Sequence, residues 1–136
     1  MNRAPLSALP WIVLLAAGPS LLPPARAGDF MPAIVYDFGG KFDRSFNQSA
    51  SVGVERFKKE TGISVREFEI TNAAQREQIM TQLARRGATV IVAVGFSMAS
   101  AVEDVARKFP EVKFTLIDGT VDLPNVQSVN FREQES

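Results

Sequence analysis

The sequence predicts an α/β fold, a doubly wound parallel sheet, on two observations. Short apolar runs rich in β-branched residues alternate with stretches of helical periodicity across residues 33–131. Glycine or proline closes nearly every stretch. Strands that alternate with helices form βαβ units and a parallel sheet covered on both faces. Right-handed crossovers then favour the strand order 2-1-3-4-5 or one close to it.

The elements follow in chain order. Residues 33–37 (AIVYD) are an apolar run ending in a turn-rich stretch, the pattern of a buried strand. A helix is expected from Ser45, where Ser45-Phe46-Asn47-Gln48 fits a capping box, Ser reaching forward and Gln reaching back. Phe46, Ala50, Gly53 or Val54, and Phe57 recur at helical spacing until Gly62 closes the helix. Residues 63–70 read as the second strand. Thr71 or Asn72 caps a second helix, with Ile79, Met80, Leu83 and Ala84 as its buried stripe and Gly87 at its end. The run at 89–94 (TVIVAV), closed by Gly95, is a third strand. A third helix carries Ala99, Val102, Ala106 and Phe109 inward and stops at Pro110. Residues 113–118 and 126–131 supply strands four and five.

Composition removes whole classes of function. The 136 residues include no Cys and no His, with 15 basic and 15 acidic side chains. No disulfide supports the fold, and no Ser-His-Asp triad, Cys-His pair or imidazole or thiolate metal site can be built. The letters Asp37-Phe38-Gly39 match a kinase motif, but neither the H-R-D loop nor the β3 lysine accompanies them. A formal charge of zero offers no global attraction to nucleic acid or anionic lipid, so no nucleic-acid partner is expected.

Residues 1–27 have the pattern of a cleaved secretory signal peptide. Arg3 precedes an apolar stretch at 11–17, a Gly/Pro-rich segment follows, and Ala25-Arg26-Ala27 is a small-x-small triplet. Pro10, Pro19, Pro23 and Pro24 interrupt a run that would need about 20 apolar residues to span a bilayer. Residues 28–136 are then expected to form one exported α/β lobe, made mildly acidic by the loss of Arg3 and Arg26. With no cysteine to lipidate, a periplasmic location is expected in a cell with two membranes.

In open parallel sheets ligands bind beyond the carboxyl ends of the strands, which singles out Asp37, Gly95-Phe96 and Asp118-Gly119. No G-x-G-x-x-G or Walker lysine pattern supports a phosphate cradle here. Acceptor carboxylates suit sugar hydroxyls and phenylalanine faces suit a flat ring, so a neutral, polyhydroxylated, partly aromatic ligand fits these groups. Each residue also has a plainer reading. Asp37 and Asp118 fit turns at strand ends, Phe46 and Phe96 fit the core, Asn47 fits a solvated first turn, Asp43 a loop cap and Lys41 a surface charge. No carboxylate pair is placed by spacing for acid–base work, so no enzyme is expected, and neither cofactor nor metal. The enzymatic alternative is a nucleoside-processing activity using Asp37 and Asp43 around a hard cation.

Asp37-Phe38-Gly39-Gly40, Asp43-Arg44-Ser45-Phe46-Asn47-Gln48 and Gly53 together resemble the opening motif of the basic membrane protein family. These are substrate-binding proteins of ABC importers and include purine nucleoside receptors. Gly95-Phe96, Phe109-Pro110, Phe114, Ile117-Asp118, Asn125-Val126 and Asn130-Phe131-Arg132-Glu133-Gln134-Glu135 extend the resemblance over residues 28–136. It implies a periplasmic-binding-protein-like N-terminal lobe, a small-molecule ligand in an interlobe cleft and an ABC permease in the inner membrane as partner. It implies that Phe46 stacks on a purine base, Asn47 bonds the base edge, Asp37 and Asp118 accept from ribose hydroxyls, and Gly95-Phe96 line the cleft. It further implies that the second lobe is missing from these 136 residues. A free sugar or another small metabolite is the alternative ligand.

Overall fold

Five strands, all parallel, lie in the order β2-β1-β3-β4-β5. They are β1 (Pro32–Tyr36), β2 (Arg66–Glu69), β3 (Val90–Val94), β4 (Lys113–Ile117) and β5 (Val126–Val129). Helices α1 (Phe46–Thr61), α2 (Gln75–Arg85) and α3 (Ala99–Lys108) make the first three crossovers, and a loop joins β4 to β5. The computed structural model describes residues 30–42 and 46–131. The expected signal peptide, the Ser45 cap, Asp43 and the motif from Arg132 onward lie outside the described residues.

The order is the one the crossover rule favours. The central strands run almost as expected. The edge strands are shorter than their apolar runs, β2 pairing only from Arg66 and β5 only to Val129. An edge strand has one neighbour, so its length is set by where that neighbour ends.

Period-two alternation sorts the central strands between two cores. Ala33, Val35, Ile91, Ala93, Phe114 and Leu116 face Met80 and Leu83 of α2 and Val102 and Val105 of α3, all buried. Ile34, Tyr36 and Val94 point to the opposite face, where Ala50 and Val54 of α1 lie against them.

Local chemistry fixes the helix ends. Gly62, at φ 71°, lets the chain leave α1 and donates its N–H to the Lys58 carbonyl at 2.9 Å. Ahead of α2, Asn72 Oδ1 accepts from the Gln75 N–H at 3.2 Å while Gln75 Oε1 accepts from the Thr71 N–H at 2.8 Å. The two bonds tie the turn at 71–75 to the start of the helix. Beyond α3, the buried Asn125 amide donates to the carbonyls of Ala106, Phe109 and Val112 at 3.0, 3.2 and 3.1 Å. One side chain thus ties the end of α3 to the turn before β4, and the Asn125 carbonyl accepts from the Phe114 N–H at 2.8 Å, setting β5 beside β4.

Candidate ligand-binding site

The strand register builds the site's floor. Tyr36 pairs with Val94, Val94 with Ile117, and Ile117 with Val129. The next residue on each strand is therefore Asp37, Gly95, Asp118 and Asn130, one row along the carboxyl rim. Adjacent strands lie about 4.8 Å apart, so the two aspartates start about 10 Å from each other with a glycine between them.

Asp37 is held from the α2–α3 side. Arg76 Nη2 donates to its Oδ1 at 3.1 Å, and the Ser97 hydroxyl donates to its Oδ2. Arg76 belongs to the first turn of α2, and Ser97 to a short 3-10 turn, Phe96–Met98, that leads into α3. Gly95 makes this arrangement possible. Its φ is 105°, and a Cβ there would lie 3.3 Å from Asp37 Oδ2. Asp118 follows β4 with φ 63°, a left-handed conformation uncommon outside glycine, and its N–H donates to the Val129 carbonyl at 2.7 Å. Its carboxylate makes no hydrogen bond or ion pair among the described residues.

Aromatic rings crowd the same rim. Phe96 is 73% exposed, Phe46 39%, and Phe38, Phe42 and Phe131 are exposed as well. Large apolar side chains gathered at one edge of a fold mark a binding surface more often than a defect. Phe46, at the start of α1, meets Phe131 beyond β5 with ring centroids 5.5 Å apart and planes tilted by 35°. The Arg76 guanidinium carbon sits 4.8 Å from the Phe38 ring centroid, within cation–π reach.

The structure places the six sequence-predicted residues unequally. Asp37, Gly95 and Asp118 share the row. Phe46 and Phe96 stand exposed around it, not in the core. Asn47 lies in the first turn of α1. It is only 3% exposed, and its amide nitrogen donates to the carbonyls of Asp37 and Phe38 at 3.1 and 3.4 Å. The first turn of α1 thereby fastens the end of β1, a positioning role.

Sequence reasoning missed Arg76, Ser97 and Phe131 as site members, and Glu67 as an anchor. Glu67, on β2, accepts from the buried Tyr36 hydroxyl at 2.9 Å, from Lys41 at 3.0 Å and from Lys58 at 2.5 Å. Burial opposes its ionisation, but the bonds from Lys58, Lys41 and Tyr36 prevail and hold its carboxyl below the ordinary value. Burial, then Glu67, pushes the Tyr36 hydroxyl well above its ordinary value. The aromatic loop is tied to the sheet through Lys41. No cluster of acidic groups able to hold a metal ion occurs among the described residues.

The sequence model of the PnrA-like ABC transporter substrate-binding proteins matches residues 31–136. The chain belongs to this family. A lipoprotein of Pyrococcus horikoshii is 39% identical over 106 residues, covering 76% of this chain and 26% of its own length. The ABC transporter nucleoside-binding protein BmpA of Lactococcus lactis is 32% identical over 113 residues, covering 79% of this chain and 32% of its own. Among solved structures, an ABC-system solute-binding protein of Aeropyrum pernix superposes with a TM-score of 0.73 at 35% identity, over 78% of this chain and 30% of that one. A lipoprotein fragment of Peptoclostridium difficile shares the fold, with a TM-score of 0.68 at 24% identity over 79% of this chain and 89% of that one. The chain thus spans about a quarter of the length of the curated relatives it matches first. The family's description is that of substrate-binding proteins of ABC transporters. No helix among the described residues is long and apolar enough to cross a membrane.

Proposed function

We propose that this lobe supplies one wall of a nucleoside-binding cleft, with purine nucleosides as ligands, in an exported ABC importer receptor that delivers to an inner-membrane permease. The observation that carries the reading is the pairing of two chemistries on one rim. An exposed Phe46, backed by Phe131, offers a flat apolar surface, and the Asp37–Gly95–Asp118 row offers carboxylate acceptors across a gap with no side chain. A nucleoside has a flat ring joined to a hydroxylated sugar and meets both. Phe96 would close the cleft's edge, Asn47 would brace its floor, and no catalytic group is required. The nucleoside-binding name of the Lactococcus relative supports the same ligand class.

Thermal shift against inosine, adenosine, cytidine, ribose and free bases tests this. A ligand at about 100 times its dissociation constant adds roughly 2.7 kcal/mol of stability. Purine nucleosides are expected to stabilise the protein, and Phe46→Ala to remove about 1–3 kcal/mol of that affinity, as loss of one base–aromatic stack does. Stabilisation by ribose alone, or equal nucleoside affinity in Phe46→Ala, would overturn the nucleoside reading in favour of a sugar.

A further inference from the structure

Arg76 does more than its place on an amphipathic helix suggests. It carries one of the cations that the sequence distributes evenly with the acids, yet its side chain is only 16% exposed, beside 18% for Asp37. Its guanidinium binds the Asp37 carboxylate at 3.1 Å, lies 4.8 Å from the Phe38 centroid, and keeps Nε buried without a partner among the described residues. A withdrawn ion pair is a poor source of stability, because desolvation offsets the attraction, and an orphaned N–H adds to the cost. What such a pair provides is orientation. A planar guanidinium can pin a carboxylate with one edge and cover an aromatic ring with its face, whereas an ammonium can do only the first.

We propose that Arg76 is the positioning residue of the rim, fixing Asp37 and Phe38 as one unit that receives a vicinal diol. This rests on the nucleoside reading for the ligand and on the observed contacts for the geometry. An ionised carboxylate has about four acceptor positions. Arg76 occupies one on Oδ1 and Ser97 one on Oδ2. Each oxygen therefore keeps an acceptor position, in an orientation set before any ligand arrives, and two adjacent hydroxyls can donate to one carboxylate. The Phe38 ring, its centroid 4.8 Å from the guanidinium carbon, adds a further aromatic surface to the rim. A cleft of about 240 Å³ lined by Arg76, Ser97, Ser100 and Asp104 lies on the α2–α3 side of this pair.

The test compares the full chain with Arg76→Lys and Arg76→Ala, using inosine and 2′,3′-dideoxyinosine as calorimetric probes and the Phe38 ring resonances as a ligand-free readout. Arg76→Ala is expected to weaken inosine about tenfold or more, the usual range for a hydrogen bond to a charged group, and dideoxyinosine less than about threefold. Arg76→Lys is expected to recover part of the inosine affinity while the Phe38 resonances stay displaced, since the charge returns without the planar face. Equal losses for both probes would overturn the diol assignment. Phe38 resonances unmoved in both variants would overturn the positioning role. Should the parent chain bind neither probe, the nucleoside reading falls by itself, and the Phe38 resonances alone decide whether Arg76 positions the rim.

Discussion

The two faces of the sheet are built to different standards. Beneath α2 and α3, Met80, Ile91, Met98, Val102, Val105 and Leu116 are fully withdrawn from solvent in one continuous core. Beneath α1 the buried apolar cluster among the described residues is Ile34, Tyr36 and Val94, and a groove of about 360 Å³ runs between helix and sheet along Pro32, Val54, Phe57, Val90 and Val92. The site straddles this divide. Its carboxylate Asp37 is gripped by Arg76 and Ser97 from the packed side, whereas Phe46 and Lys41 stand on the looser side. The part of the rim held by Arg76 and Ser97 is therefore expected to be rigid and the part carrying Phe46 adjustable, an arrangement that lets one fixed hydrogen-bonding pattern accept rings of differing width.

The contrast is broken most severely by cavities. Leu116→Ala, in the packed core, is expected to cost about 3–4 kcal/mol, the sum of lost transfer energy and an unfilled void. Val92→Ala, facing the groove under α1, is expected to cost about 1 kcal/mol, because its side chain is only partly covered. Urea denaturation with a common m-value would measure both. Equal losses at the two positions would show that the α1 face is as tightly packed as the other.

The fold was largely legible because its signals are local. Continuous β-branched runs such as residues 90–94 mark central strands, and the handedness of crossovers orders them without any long-range information. The ends of β2 and β5 were not legible, since pairing with a single neighbour decides them. The site divides in the same way. Asp37, Gly95 and Asp118 follow from the rule that ligands gather at the carboxyl ends of strands. Arg76 is 39 residues from its partner Asp37 and reads as a solvated charge on a helix until the fold is closed. Phe131 carried a faint signal, an aromatic just past the last strand, but its contact with Phe46 depends on β5 lying at the sheet's edge.

A smaller effect sharpens the rigid part of the rim. Gly95→Ala forces a side chain onto a backbone at φ 105° and sets its Cβ 3.3 Å from Asp37 Oδ2. The strain is expected to cost about 2 kcal/mol. Because the displaced atom belongs to the pinned carboxylate, the Arg76 and Ser97 contacts must shift with it. Calorimetry is expected to show a lowered melting temperature together with weakened inosine binding. Wild-type affinity in a destabilised Gly95→Ala would place the Asp37 carboxylate outside the ligand's reach.

The smallest effect probes the adjustable part through pH. Glu67 ties Tyr36, Lys41 and Lys58 together, and its carboxyl is held below its ordinary value. A depressed carboxylate stabilises the fold above its ordinary value near pH 4.5, and that contribution fades as pH falls through the lower folded value. Tyr36 has the opposite sign. Its raised value leaves stability intact below about pH 10 and erodes it above. Glu67→Gln removes the charge that both lysines bind and is expected to cost about 1 kcal/mol at pH 7, and less as the pH is lowered below 4.5. Since Lys41 is the loop's tether, Glu67→Gln should also quicken hydrogen exchange in residues 38–42 while leaving α2 and α3 unchanged. Exchange that quickens on both faces alike would mean that Glu67 supports the whole sheet, and that the aromatic wall is no looser than the carboxylate it faces.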